Sequence, residues 1–284
     1  MKLAFATNAF SRHSLDHALS EIAAAGYTAV EILADAPHAD PNHLAGSEGV
    51  QLARQVRRQL DRLGLSVSNV NGNCSFSYWR HAPPEPYFEP SLISPNPQYR
   101  ADRAERIRRT IDFAAAVGAP AVSITSGKCL DMVSPAVAAG LLAESLPPLL
   151  DYADRRGVNI GIECEPGLFL EWATELRSWI DRLQHPRLGA NLDTGHSHVL
   201  GETMSEVFAV LRGRIWNLHV EDLPGRKHYH MVPGTGSFPF DQLIAAARDT
   251  GYDGYATVEL YTQVETPSEA ARRSLAFLGP LFSH

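Results

Sequence analysis

Short apolar runs alternate along this chain with longer amphipathic stretches. The runs are Leu3–Thr7, Ala29–Leu33, Ser66–Val70, Ala121–Thr125, Val158–Ile162, Arg187–Asp193, Ile215–His219 and Gly254–Glu259. Several are apolar on both faces, the pattern of strands buried in a parallel sheet. Between them the spacing predicts helices over Leu15–Ala25 after Ser14, Glu48–Leu63 after Ser47, Tyr99–Val117, Ser134–Arg156 and Trp172–Leu183. Further helices are predicted near Thr203, over Phe240–Thr250 and from about Pro267 to Leu278. Gly26, Gly64 and Gly118 stop three of them, and Pro147–Pro148 is expected to kink or split the fourth. Strand and helix alternate about eight times with no shift in composition. That rhythm predicts an α/β fold, a single-domain (β/α)8 barrel over residues 1–284. A doubly wound open sheet competes less well, because polar groups end strands along the whole chain and not at one switch point.

The rhythm breaks once, at about 76–97. Pro83, Pro84, Pro86, Pro90, Pro95 and Pro97 are interleaved there with Tyr78, Trp79, Tyr87 and Phe88. A connection of this length in a compact domain reads as a lid or an interface segment. The next helix presents Arg100, Arg103, Arg106, Arg108 and Arg109 beside Asp102, Glu105 and Asp112, which reads as a solvated ion-pair face.

Four successive strands end in polar groups: Glu163, Asp193, His219 and Glu259. Any one of them taken alone reads as a cap, a salt bridge or a core histidine. Together, at the C-terminal rim where barrel active sites lie, they read as ligands to a divalent ion. Oxygen donors with one nitrogen suit Mn²⁺, Mg²⁺ or Co²⁺, and Zn²⁺ is compatible. Such an ion has room for two substrate oxygens and acidifies a C–H beside a bound carbonyl. Glu163 and Glu259, three strands apart, can flank a molecule and exchange its proton. Asn8 and Asn71 end strands on the same rim and are candidate substrate contacts. Glu165 shares the face of Glu163 but lies further out, and Cys164 between them points into the layer outside the strands.

The acidic balance, a net charge of -7, argues against a nucleic-acid partner. Cys74, Cys129 and Cys164 form no disulfide framework and fit a reducing compartment. There is no signal-peptide pattern and no membrane-length apolar run, so a cytoplasmic protein is expected, with homo-oligomerisation left open. No phosphate-binding glycine motif follows a strand; GTGSF at Gly234 follows a loop.

The segments IECEP (162–166), NLDTGH (191–196), NLHVED (217–222), HMVPGTG (230–236) and VEL (258–260) resemble the xylose isomerase-like TIM-barrel superfamily, in its sugar phosphate isomerase/epimerase branch. The resemblance covers essentially the whole chain, and Asp193-x-x-His196 carries it most specifically. It implies that Glu163, Asp193, His219 and Glu259 hold one metal ion, with Glu163 and Glu259 as the acid/base pair. It further implies that His196 and Arg226 contact a small sugar, ketose or polyol substrate. Three other activities use a site of this kind: dehydration of an inosose-like cyclitol, phosphodiester cleavage as in the apurinic endonuclease branch, and metabolite binding without catalysis. The endonuclease branch adds histidine ligands after its early strands, where this chain has Asn71–Asn73 and Thr125–Gly127. His196, His228 and His230 match positions that hold an additional zinc in that branch. The preferred reading is one tightly bound metal, with His196 and His230 lining the pocket.

Overall fold

The computed structural model describes residues 1–81 and 88–282. Eight parallel strands close into a barrel in chain order. They are β1 (Lys2–Ala6), β2 (Ala29–Leu33), β3 (Ser66–Asn71), β4 (Ala121–Thr125), β5 (Asn159–Glu163), β6 (Leu188–Asp193), β7 (Ile215–Val220) and β8 (Tyr255–Val258). Around them, among the described residues, run α1 (Leu15–Ala24), α2 (Gly46–Leu63), α3 (Pro97–Val117), α4 (Pro135–Arg156) and α5 (Ala173–Leu183). The circuit continues through α6 (Thr194–Leu200), α7 (Met204–Val210), α8 (Phe240–Thr250) and α9 (Pro267–Phe282). The expected (β/α)8 barrel is the fold observed.

Local chemistry sets most boundaries. The Ser14 hydroxyl accepts from His17 N–H at the start of α1, and Gly64 and Gly118 end α2 and α3 with φ of 67° and 80°. Thr203 and Glu206 form a capping box at the start of α7. Two expectations change. Ser47 lies inside α2, which begins at Gly46. Pro147 and Pro148 do not split α4, because Leu142, Leu146, Leu149 and Leu150 bury its apolar stripe on either side of them. The turn after Asp193 adds an element that was not expected. It is α6, whose first turn is capped by the Asp193 carboxylate accepting from His196 N–H at 2.8 Å.

The hydrophobic core lies between sheet and helices, where Phe5, Ile32, Leu60, Ile111, Leu146 and Phe208 are fully buried. The inside of the barrel is different. Apolar branched side chains fill most such barrels, but Glu31, Asn69, Asn71, Ser123, Asn191, Asn217, His219 and Thr257 are buried here and bonded to one another. Gly161 on β5 makes room for this layer, since a Cβ there would sit 2.7 Å from Asn191 N.

The break at 76–97 is built partly of aromatic packing. Tyr78, Trp79 and Tyr99 stack edge-on, and Trp79 Nε1 donates to Glu89 O at 3.0 Å. Pro83, Pro84, Pro86 and Tyr87 lie outside the described residues. The arginine face of α3 is not uniformly solvated. Arg108 and Arg109 pair with Glu105 near the surface, but Arg103 and Arg106 are 3% and 5% exposed. They turn inward because buried carbonyls, hydroxyls and acids of the loops above the barrel require donors.

Gly161→Ala is expected to cost about 1–3 kcal/mol through overpacking against Asn191. The measurement is the denaturant midpoint, with an unchanged m-value confirming that the loss is one of stability.

Candidate metal centre and active site

Glu163 and Asp193 are the last residues of β5 and β6, His219 lies near the end of β7, and Glu259 follows β8 directly. The barrel closes these ends onto one point. One donor atom from each of the four lies within 4.8 Å of all the others. His219 Nδ1 is 3.1 Å from Glu163 Oε2, 3.4 Å from Glu259 Oε2 and 4.0 Å from Asp193 Oδ2. None of the four is more than 6% exposed.

Three carboxylates packed this tightly repel one another and lose water, which favours protonation within the group or a compensating cation. Burial pushes the Glu259 carboxyl well above the usual carboxylate range, with Glu163, Glu31 and Asp193 adding to it against His219. Burial also works to raise Glu163 and Asp193, but nearby imidazoles hold both below that range: His219 for Glu163, and His196, His230 and His219 for Asp193. Burial opposes a charged His219, yet Glu259, Glu31 and Glu163 raise its imidazole well above the ordinary value.

Two observations test whether a metal ion fits. Asp193 Oδ2 is buried without a hydrogen-bond partner. His219 Nε2 lies 2.8 Å from Glu31 Oε2, so with that N–H directed at Glu31 it is Nδ1 that faces the three acids and would give up its own proton to an ion bound among them. A carboxylate behind a histidine that fixes its tautomer is the usual support of a metal ligand. The residues fit a divalent ion.

Amide groups orient the acids. Asn8 and Asn71 donate to Glu259 Oε1 at 2.9 and 3.0 Å. Asn73 donates to Glu163 Oε2 at 2.8 Å, and Asn191 donates to the same oxygen. Asn8 and Asn71 thus sit at the site as expected, but their amides reach Glu259 itself. Above them opens a cavity of about 510 Å³, lined by Asn8, Asn73, Glu165, Phe76, Phe88 and Tyr261 among others. The described ends of the 76–97 segment therefore reach the rim. Burial pushes Glu165 up to about 7. Cys164 is turned away, into the layer between sheet and helices, where it packs near Ala173, Leu176 and Leu192.

His196 and His230 line the same cavity. Each places Nδ1 against a backbone carbonyl, Cys164 O at 3.1 Å and Glu259 O at 2.8 Å. Their Nε2 atoms then face His228 Nε2 at 3.0 and 3.2 Å. Arg226 is not brought to the site. It is exposed, donates to His198 O at 3.2 Å, and lines a separate groove with Glu202 and Thr203. Its loop folds around Asp222, whose carboxylate accepts from Gly234, Gly236 and Phe238 N–H, and this leaves Arg226 on the outer side.

The sequence reading missed Glu31, Asn73 and Asn191. Glu31 is also a carboxylate in an apolar strand, but it lies mid-strand and lacks the strand-end position that marked Glu163. The two asparagines carried no signal beyond their place near strand ends.

An eight-stranded barrel with a buried acid-and-imidazole cluster at its C-terminal rim has the architecture of a barrel enzyme and the donor set of a divalent-metal site. The chain belongs to the xylose isomerase-like TIM barrel family, whose model matches residues 19–281. It is 27% identical over 281 residues to the fructoselysine 3-epimerase of Shigella flexneri, covering 97% of this chain and 96% of that protein. The fold matches a 3-keto-D-glucoside 4-epimerase from E. coli in its apo form, at TM-score 0.79 and 20% identity over 99% of both chains. It also matches the IOLI protein, crystallised with a zinc atom, at TM-score 0.77 and 16% identity over the full length of both.

Metal-free protein is expected to take up one equivalent of Mn²⁺. Glu31→Gln should weaken that uptake roughly 10- to 100-fold, the usual cost of losing an outer-shell partner. The same titration with Zn²⁺ checks the imidazole cluster: a second equivalent that disappears in His228→Ala would overturn the single-ion reading.

Proposed function

We propose that the chain is a divalent-metal-dependent isomerase or epimerase of a small, unphosphorylated sugar, ketose or polyol derivative. The observation that carries this reading is the pair Glu163 and Glu259, three strands apart around the barrel, meeting at one buried ligand set beneath the cavity. In this reading Glu163, Asp193, His219 and Glu259 hold one ion, with Mn²⁺ preferred and Mg²⁺, Co²⁺ or Zn²⁺ compatible. When bound, the ion polarises the substrate carbonyl and acidifies the neighbouring C–H.

The chain's own residues supply the rest. One glutamate removes the proton from one face of the substrate, and the other returns a proton to the opposite face. Asn8 and Asn71 hold Glu259, and Asn73 and Asn191 hold Glu163, so neither acid swings away between the two transfers. His196 and His230 offer imidazoles to substrate oxygens. Asp35, Glu163, Glu165 and Glu259 line the cavity, and among the described residues no lysine or arginine does. A phosphate ester would find no guanidinium or ammonium partner there, which supports a neutral substrate. The similarity to sugar epimerases over nearly the whole chain supports the same class.

The test uses metal-loaded protein and a panel of free ketoses in deuterated water. Epimer formation with deuterium at the carbon beside the carbonyl is expected, while the corresponding phosphate esters should be poor substrates. Glu259→Gln keeps a ligand oxygen but no transferable proton. It should lose about 10²- to 10⁴-fold in exchange rate. Loss of water without epimer formation would favour the cyclitol-type dehydratase instead, and unchanged exchange in Glu259→Gln would remove Glu259 from the proton transfer.

A further inference from the structure

Arg103, in the second turn of α3, is 3% exposed, and no carboxylate forms an ion pair with it among the described residues. Its guanidinium is spent on the turn that follows β3. Nη2 donates to Gly72 O at 2.7 Å and Asn73 O at 3.0 Å, and Nη1 donates to Cys74 O at 3.3 Å and Ser75 Oγ at 2.5 Å. Three successive carbonyls thus converge on one cation. Elsewhere the turn is tied to β4, through Gly72 N–H to Ser123 O at 2.9 Å and Thr125 Oγ1 to Asn73 O at 3.1 Å.

The end of β3 and the turn after it deliver two amides that grip the acid pair. Asn73 donates to Glu163 and Asn71 to Glu259, and Asn71 Oδ1 accepts from Asn73 N–H at 3.1 Å, which couples the two. Remove the guanidinium and three buried carbonyls lose a donor, at a cost that favours rearrangement of the turn. A lysine cannot replace it, because one ammonium does not span a fork of four acceptors.

We propose that Arg103 is a positioning residue, which locks the turn after β3 so that Asn73 fixes the orientation of Glu163 within the acid pair. The proposal rests on the assignment of those glutamates to the metal and the proton transfer. It departs from a purely structural role in one respect: its effect travels through Asn73.

The experiment compares Arg103→Met, Arg103→Lys, Asn73→Ala and the double variant Arg103→Met/Asn73→Ala. Each is measured for kcat, KM, Mn²⁺ affinity and Tm. Arg103→Met should lower kcat roughly 10²-fold, the penalty of misplacing a reacting group by about 1 Å, with little change in KM. Mn²⁺ affinity should fall roughly 10-fold. Arg103→Lys should show the same pattern to a smaller degree. The double variant should be no worse than Asn73→Ala alone in kcat or Mn²⁺ affinity, the non-additivity expected of residues acting as one unit. A lowered Tm with kcat and Mn²⁺ affinity unchanged would overturn the proposal, as would losses that add fully in the double variant. Should Arg103→Met fail to fold, Arg103→Lys and its combination with Asn73→Ala provide the same cycle. Absence of epimerase activity in the native protein would sink the functional reading alone, since the Mn²⁺ affinities still test Arg103.

Discussion

The constraint on which this molecule turns is negative charge taken out of water. Glu31, Glu163, Asp193 and Glu259 are all buried around one imidazole, His219, near the axis of the barrel. A single protonated histidine cannot balance four carboxylates. The inside of the barrel must therefore supply donors, and it does so with amides. Asn69, Asn71 and Asn217 donate to Glu31, and Asn8, Asn71, Asn73 and Asn191 donate to the outer acids. Asparagine suits the task because it offers two N–H donors without adding a charge that would compete with a metal ion.

These amides form directed chains. Thr257 Oγ1 donates to Asn217 Oδ1 at 2.8 Å, Asn217 donates to Asn191 Oδ1 at 2.8 Å, and Asn191 donates to Glu163. Each link fixes which way the next amide faces, so the orientation of Glu163 is set by groups from β8, β7 and β6 in turn. In the low dielectric of the interior the linked members of this hydrogen-bonded chain strengthen one another, while Asn8, Asn69 and Asn73 each keep a buried Oδ1 without a partner among the described residues. The helices add a second level of control, because Arg103 on α3 governs the turn that carries Asn73.

Much of this was legible in the amino-acid sequence, for a physical reason. One carboxylate or imidazole at a strand end has ordinary structural uses, but four on successive strands do not share one, so Glu163, Asp193, His219 and Glu259 stood out together. The barrel followed from alternation, which depends on local periodicity alone. Other features depend on three-dimensional closure. Glu31 sits mid-strand, and nothing in AVEIL tells whether its side chain meets a helix or the barrel axis. Arg103 and Arg106 share a helix with Asp102, Glu105 and Asp112, so their spacing mimics an exposed ion-pair face. What buries them is the neighbouring loops. Arg226 follows His219 closely in sequence, but Asp222 gathers the intervening loop and sends it outward.

The apolar core of this protein, with Phe5, Leu60 and Ile111, lies outside the barrel wall, between strands and helices. The chemistry lies inside and above that wall. Two populations of residues, touching along a single layer of backbone, thus answer to different demands. Substitutions at Phe76, Phe88 or Tyr261 along the cavity mouth leave the cohesion of the scaffold largely intact. A lineage built on this plan is free to vary its rim while inheriting both its buried acid-and-imidazole floor and its folding energy unchanged.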